Sequence, residues 1–276
     1  MGNKKRQPLS RPLTARGLRG RRAMKRALYA MLSFRNGVMI ALGKEQPLVR
    51  FTVEGDPPSV YVVWRIRPEA VDTLPKRLGL ADWMASTPIR CLADDEPEHL
   101  LVLNYYRVSG LARGVRAEWS IFIADPAGIP RYLVFDACSA EFSIDPVDLN
   151  TKRSPITHRR EGDTIVTSLG EGPDYTCSIE IPADAPTVKT HAEWATANDE
   201  IYWTNGIADR TFYNAGMHDP LVVDVPSGAV DITDETGWAD LVEPDPAHVL
   251  VYENAIELAM APWANLDQVE ASPERS

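Results

Sequence analysis

Cysteine is scarce in this chain, and lysine beyond the first 44 residues is nearly as scarce. Cys91, Cys138 and Cys177 are odd in number and far apart, so no disulfide framework can be read and a reducing, cytoplasmic compartment fits. The five histidines, His99, His158, His191, His218 and His248, never fall at helical or zinc-finger ligand spacing, so neither a metal site nor a cofactor is expected. No transmembrane helix is expected either: the apolar stretch from Ala27 to Phe34 is broken by Arg35 and Asn36, far short of the ~20 residues that span a bilayer. A glycine-rich phosphate loop, a Gly-x-Ser-x-Gly elbow and a paired-histidine metalloprotease motif are all missing. Their absence argues against nucleotide-dependent, serine-hydrolase and zinc chemistry.

Acidic residues are missing from one region only. Residues 1–44 hold 12 of the 29 Lys and Arg and none of the 39 acids, so the chain reads as a basic arm on an acidic body. Three segments follow: the arm at 1–44 with a helix over about 18–42, a single β-rich domain at 45–265, and a polar tail at 266–276. The arm has a basic start and an apolar stretch but no cleavage site after them, which reads against secretion, and Arg6 stands where myristoylation favours Ser or Thr. A basic helix suits peripheral contact with an anionic membrane through residues 1–42, or docking on the body or on another subunit. Nucleic acid is not an expected partner, because residues 156–276 carry five bases and would repel a polyanion.

The body has the length for one large core. Short segments rich in β-branched and aromatic residues recur around 48–53, 60–67, 100–108, 116–124, 131–137, 164–169, 175–181, 200–204, 210–215, 220–225, 248–252 and 255–261, separated by Gly, Pro, Asn and Asp. One short helix is expected at 68–74, with Pro68 suited to its first turn, and two more near Thr190 and Thr233. Many strands, few helices and no repeat predict a mainly β or α+β chain with a single antiparallel barrel-like core.

Two constellations carry chemistry. In the strand around residue 118, alternation puts Ala117, Trp119, Ile121 and Ile123 on one face and Arg116, Glu118, Ser120 and Phe122 on the other. Facing water, Arg116 and Glu118 are a surface pair; facing inward, they are a buried ion pair able to bind a carboxylate or move a proton. Tyr105 and Tyr106 follow a run, Leu100 to Leu103, that is apolar on both faces; they fit either core positions or substrate contacts.

The second constellation is Lys152-Arg153. From residue 45 onward only Lys76, Lys152 and Lys189 occur, so a reaction that needs a neutral amine has few places to live. Two unit charges about 6 Å apart at an effective dielectric of about 20 repel by roughly 3 kcal/mol, about 2 pKa units, which would bring an amine from near 10.4 towards roughly 8. Apolar walls would lower it further by desolvation. A neutral lysine attacks carbonyl carbon and forms a Schiff base. Otherwise the pair is an ordinary basic dipeptide on a solvated loop.

Several segments resemble the acetoacetate decarboxylase family over roughly residues 58–262. These are Val60-Tyr61-Val62-Val63-Trp64-Arg65-Ile66-Arg67 followed by Leu74-Pro75, then Asp95-Glu96-Pro97 before 100–108, then Glu118 in Arg116-Ala117-Glu118-Trp119. The family's lysine loop is matched by Pro146-Val147-Asp148-Leu149 and Thr151-Lys152-Arg153, with Asp163-Thr164-Ile165-Val166 beyond. The loop is shorter here, lacks the family's Gly, Arg and Pro, and has Arg153 for its second lysine. The resemblance implies an oligomeric Schiff-base lyase (a decarboxylase, aldolase or dehydratase) acting on a small or medium keto acid. Lys152 would be the nucleophile, Arg153 would activate it and Glu118 would handle a proton. Arg116, Tyr105 and Tyr106 would contact substrate. The competing reading is a noncatalytic β-barrel that binds an apolar or carbonyl ligand, held at a membrane or a partner by the arm.

Overall fold

The structure, a computed structural model, describes residues 51–81, 83–110, 114–140, 152–170, 175–198, 201–203, 208–209, 211–214 and 221–260, with Ala27, Met31, Phe34, Arg35, Val38 and Leu42 of the arm. Residues 146–151 of the lysine loop and the tail beyond Met260 lie outside the described residues. In the arm, Ala27, Met31, Phe34, Arg35 and Val38 are helical, and Met31, Phe34, Val38 and Leu42 are exposed. No helix among the described residues is long and apolar enough to cross a membrane.

Among the described residues sixteen strands form two sheets. In chain order they are β1 (Phe51–Arg65), β2 (Leu100–Gly110), β3 (Gly114–Ala124), β4 (Pro130–Ser139), β5 (Lys152–Arg153), β6 (Ile156–Glu161), β7 (Thr164–Leu169), β8 (Tyr175–Glu180), β9 (Thr187–Lys189), β10 (Ile201–Trp203), β11 (Ala208–Asp209), β12 (Thr211–Asn214), β13 (Leu221–Asp224), β14 (Val230–Asp234), β15 (His248–Tyr252) and β16 (Ile256–Met260). The large sheet runs β11-β10-β4-β3-β2-β1-β15-β13-β9, with β5 on β4 and the β12–β16 pair on the start of β1; the small sheet runs β14-β8-β7-β6. Most pairs are antiparallel, β10 and β5 against β4 being parallel. The expected barrel-like closure is not found: among the described residues the large sheet is an open path from β11 to β9. Strand β1 is the branching point of this sheet: β16 pairs with 51–55 and β15 with 59–63, while the pairing with β2 shifts register between Asp56 and Val60. A bulge of this kind bends the strand and lets one edge serve two partners.

Beyond the arm, three short α-helices among the described residues connect strands of the large sheet: α1 (Pro68–Val71), α2 (Leu74–Leu78) and α3 (Ala192–Ala197). The helix expected at 68–74 is thus two pieces, each opened by a proline in its first turn, and α2 stops at Gly79, whose φ of 65° suits a residue without Cβ. The helix expected near Thr233 is instead β14, and Asp234 accepts the Thr236 N–H in the turn that follows it. Asp and Thr side chains make such local bonds in turns as readily as at helix starts, which is why the residues mislead.

The large sheet is buried on both faces. Every residue of β3 from Gly114 to Ile123 is buried. One face, here the sheet side, carries Val60, Val62, Trp64, Leu101, Leu103, Tyr105, Ala117 and Trp119 and packs on Ile165, Leu169, Tyr175, Cys177 and Ile179 of the small sheet. The small-sheet residues alternate with half-exposed ones along β7 and β8, the pattern of a sheet solvated on one side. The other face, the helix side, carries Tyr61, Val63, Val102, Tyr106, Phe122 and Leu250. Trp194 of α3 plugs it, fully buried against Tyr61 and Phe122 and donating its indole N–H to the Tyr252 hydroxyl at 3.1 Å. Burying each large apolar side chain contributes about 1.5–3 kcal/mol, so both faces contribute to the core.

Candidate functional site

Strand alternation and register together decide which polar groups meet. On the helix side, Tyr61, Asn104, Glu118 and Ala137 align across β1 to β4, and Tyr106, Arg116 and Ser139 align one step further along. Glu118 Oε1 accepts three bonds there: from Tyr106 Oη at 2.8 Å, Arg116 Nε at 3.0 Å and Arg116 Nη2 at 2.7 Å. The two charged side chains are 7% and 4% exposed, so the pair is an interior one and not the surface pair that the same alternation equally allowed. Arg116 makes further interactions as well. Burial first, and then the neighbouring Glu118, push the phenols of Tyr106 and Tyr61 well above their ordinary range, so both stay protonated as donors.

The sheet side is arranged differently. Tyr105 is fully buried, stacked on Tyr175 with ring centroids 5.8 Å apart and on His158 at 6.3 Å. His158, on β6, meets the Pro58 carbonyl through Nε2 at 2.7 Å. Neither the Tyr105 hydroxyl nor His158 Nδ1 has a hydrogen-bond partner among the described residues. Burial holds the His158 imidazole below its ordinary pKa, with Arg107 acting the same way against the Pro58 bond, and burial raises the Cys177 thiol on the adjoining strand to about 12. Native interiors pair nearly all such atoms, yet among the described residues unpaired buried atoms occur on both faces: Asn104 Oδ1, Ser120 Oγ and Tyr132 Oη on the helix side, and Tyr105 Oη, Tyr175 Oη and His158 Nδ1 on the sheet side.

Of the six residues expected to form a site, three meet directly: Tyr106, Arg116 and Glu118. Tyr105 lies on the opposite face from them. Lys152 and Arg153 form β5, where Lys152 is the register neighbour of Cys138 and Arg153 of Ser139. Extending the rows, Lys152 is in register with Cys138, Ala117 and Tyr105, and Arg153 with Ser139, Arg116 and Tyr106. Tyr61, Asn104 and His158 join the two clusters without having been singled out by sequence. Period-two reading of 60–67 would have paired Tyr61 with the Glu118 face only once the register was known.

A third polar group lies at the edge of the helix side, where Cys91, Asp95 and His248 come together. These are residue types that hold metal ions, although no sequence spacing announced them.

Among the described residues the protein is therefore a mainly β chain of two stacked sheets with few helices, its large sheet carrying a buried polar cluster on each face. No family model and no curated protein matches the sequence. Among solved structures it is similar to acetoacetate decarboxylase from Legionella pneumophila subsp. pneumophila str. Philadelphia 1, at 10% identity and TM-score 0.47 over 82% of this chain and 94% of the other. It is also similar to an acetoacetate decarboxylase-like enzyme from Sphingomonas wittichii RW1, at 10% identity and TM-score 0.48 over 81% and 94% of the two chains. A further acetoacetate decarboxylase structure shares 14% identity at TM-score 0.43, over 77% and 87%. Likenesses of this size assign no residue role and no reaction.

Proposed function

We propose that the protein is a carbon–carbon lyase that forms a Schiff base between Lys152 and a small or medium keto acid. The observation that supports this reading is the register position of Lys152, in line with Cys138 and Ala117, which are 6% and 0% exposed, and with Tyr105 beyond them. The scheme requires the Lys152 amine to be desolvated, because desolvation favours its neutral, nucleophilic form. Consecutive strand positions belong to opposite faces, so the cation of Arg153 contributes less than adjacency in sequence implies. At about 10 Å its repulsion falls to roughly 1.7 kcal/mol, and burial must supply the rest of the shift.

The reaction balances without a cofactor. The amine adds to the keto carbon and expels water to leave a protonated imine. The bond to the carboxylate carbon breaks, carbon dioxide leaves, and its electron pair moves to the imine nitrogen as an enamine forms. A proton on carbon and one water restore Lys152. Glu118 and Arg116 belong to the opposite face of the sheet, so in this scheme they hold the strands in register and imine formation does not depend on them.

Borohydride reduction in the presence of a keto-acid panel, followed by mass mapping, tests the reading. An adduct at Lys152 is expected, lost in Lys152→Ala and retained in Glu118→Gln. No adduct with any keto acid, together with unchanged ligand binding in Lys152→Ala, would leave a noncatalytic β module that binds apolar or carbonyl ligands.

A further inference from the structure

We propose that Cys91, Asp95 and His248 form a binding site for a borderline transition-metal ion of the zinc type, with Asp224 orienting the histidine. The sulfur, a carboxylate oxygen and an imidazole nitrogen of the three residues all lie within 4.8 Å of one another. His248 Nε2 is 3.0 Å from Asp95 Oδ2, and its other nitrogen, Nδ1, is 3.6 Å from Asp224 Oδ2. A tetrahedral zinc ion binds sulfur at about 2.3 Å and nitrogen or oxygen at about 2.0–2.2 Å, which places neighbouring ligand atoms roughly 3.2–3.8 Å apart. The His248–Asp95 separation already approaches that edge, and side-chain rotation closes the remainder.

Each part of the group is held by the fold. Cys91 is 1% exposed, and its carbonyl accepts the His191 N–H at 2.8 Å. Asp95 is fixed in a turn, its Oδ2 accepting the Leu92 N–H at 2.7 Å while its own N–H donates to the Leu92 carbonyl. His248 begins β15 and Asp224 ends β13, and these strands pair side by side. A carboxylate on the far nitrogen of a ligating histidine fixes the tautomer and aims the near nitrogen at the ion; Asp224 Oδ2, 3.6 Å from Nδ1, would need to close by a few tenths of an ångström to do so. A thiolate, a carboxylate and a neutral imidazole offset the charge of a divalent ion and leave its fourth position to water. Bound metal would also deprotonate a thiol that is otherwise packed among carboxylates.

The alternative is a histidine clamped between two carboxylates with Cys91 as core filling. Cobalt separates the two readings because a tetrahedral thiolate site gives intense visible bands and a sulfur-to-metal charge-transfer band. The full-length protein, freed of metal by chelator dialysis, is titrated with Co2+ and then with Zn2+. One equivalent should bind with those bands, Zn2+ should displace it, Cys91→Ser should lose the charge-transfer band, and Asp224→Asn should weaken Zn2+ binding by about 10–100-fold. If Cys91→Ser does not fold, Asp95→Asn decides, and binding unchanged in it overturns the site. So does the absence of saturable Co2+ or Zn2+ binding by the wild-type protein. Neither result bears on imine formation at Lys152.

Discussion

The two faces of the large sheet are built from the same strands, one residue out of phase, and they differ in what stands at their centre. On the helix side a carboxylate, a guanidinium and a phenol are buried together and satisfy one another. The sheet side buries a phenol and an imidazole that leave atoms unpaired, in the same row in which Lys152 enters the sheet. Self-satisfied interior charge holds strands in register but leaves little for a ligand to do. Unpaired interior polarity costs stability and is kept where something else can pair with it. The comparison therefore assigns the Tyr106–Arg116–Glu118 network mainly to the fold; orphaned atoms lie beside it too, at Asn104, Ser120 and Tyr132, so orphans alone do not mark a binding face, and what distinguishes the sheet side is the register row that Lys152 joins.

The largest effect should come from breaking the helix-side pair. Glu118→Ala removes the buried carboxylate that Arg116 and Tyr106 both meet, and a loss of about 3–5 kcal/mol in unfolding free energy is expected by chemical denaturation. Replacing both partners together, as Arg116→Met with Glu118→Leu, should recover most of that loss. A cost below about 1 kcal/mol for Glu118→Ala would place the pair in water and end the contrast between the faces.

Adjacent tyrosines sharpen it. Tyr106→Phe removes a donor from a charged acceptor and should cost about 1.5–3 kcal/mol. Tyr105→Phe removes a hydroxyl without a partner and should be neutral or slightly stabilising, while weakening any ligand bound on the sheet side. Equal costs for the two substitutions would mean that the Tyr105 hydroxyl is paired after all.

Legibility in the sequence followed the length and regularity of each element. Strands β7 and β8 alternate cleanly and β2 is apolar on both faces, so each could be placed from residue types. Strands β5, β9 and β11 are two or three residues long and exist because a neighbour offers a partner, which leaves no periodicity to read. At Glu118 the alternation gave the face it shares with Arg116, but not whether water or protein lay on it, because that depends on α3 covering the sheet from far along the chain. Cys91, Asp95, Asp224 and His248 come from two strands and a turn, and only the pairing of β13 with β15 and the bridge from Leu92 to Thr190 bring them together.

The smallest expected effect is a pH dependence on the sheet side. The carbonyl of Pro58 can only accept, so His158 Nε2 carries the proton in the neutral ring and Nδ1 presents a bare lone pair. Burial depresses its pKa in the folded state, Arg107 adds to the depression, and the other ionisable side chains beside it, Tyr105 and Tyr175, are phenols kept protonated by their own burial. The unfolded chain therefore takes up a proton near pH ~6.5 before the folded one does, and stability rises with pH across the window below that value. Stability present at neutral pH should be lost as the pH falls through it. Against His158→Gln, which does not titrate, the wild-type advantage in unfolding free energy should shrink between about pH 7 and about pH 5. A difference that stays flat over that range would mean that His158 is either solvated or paired at Nδ1, and would remove it from the orphaned groups of the sheet side.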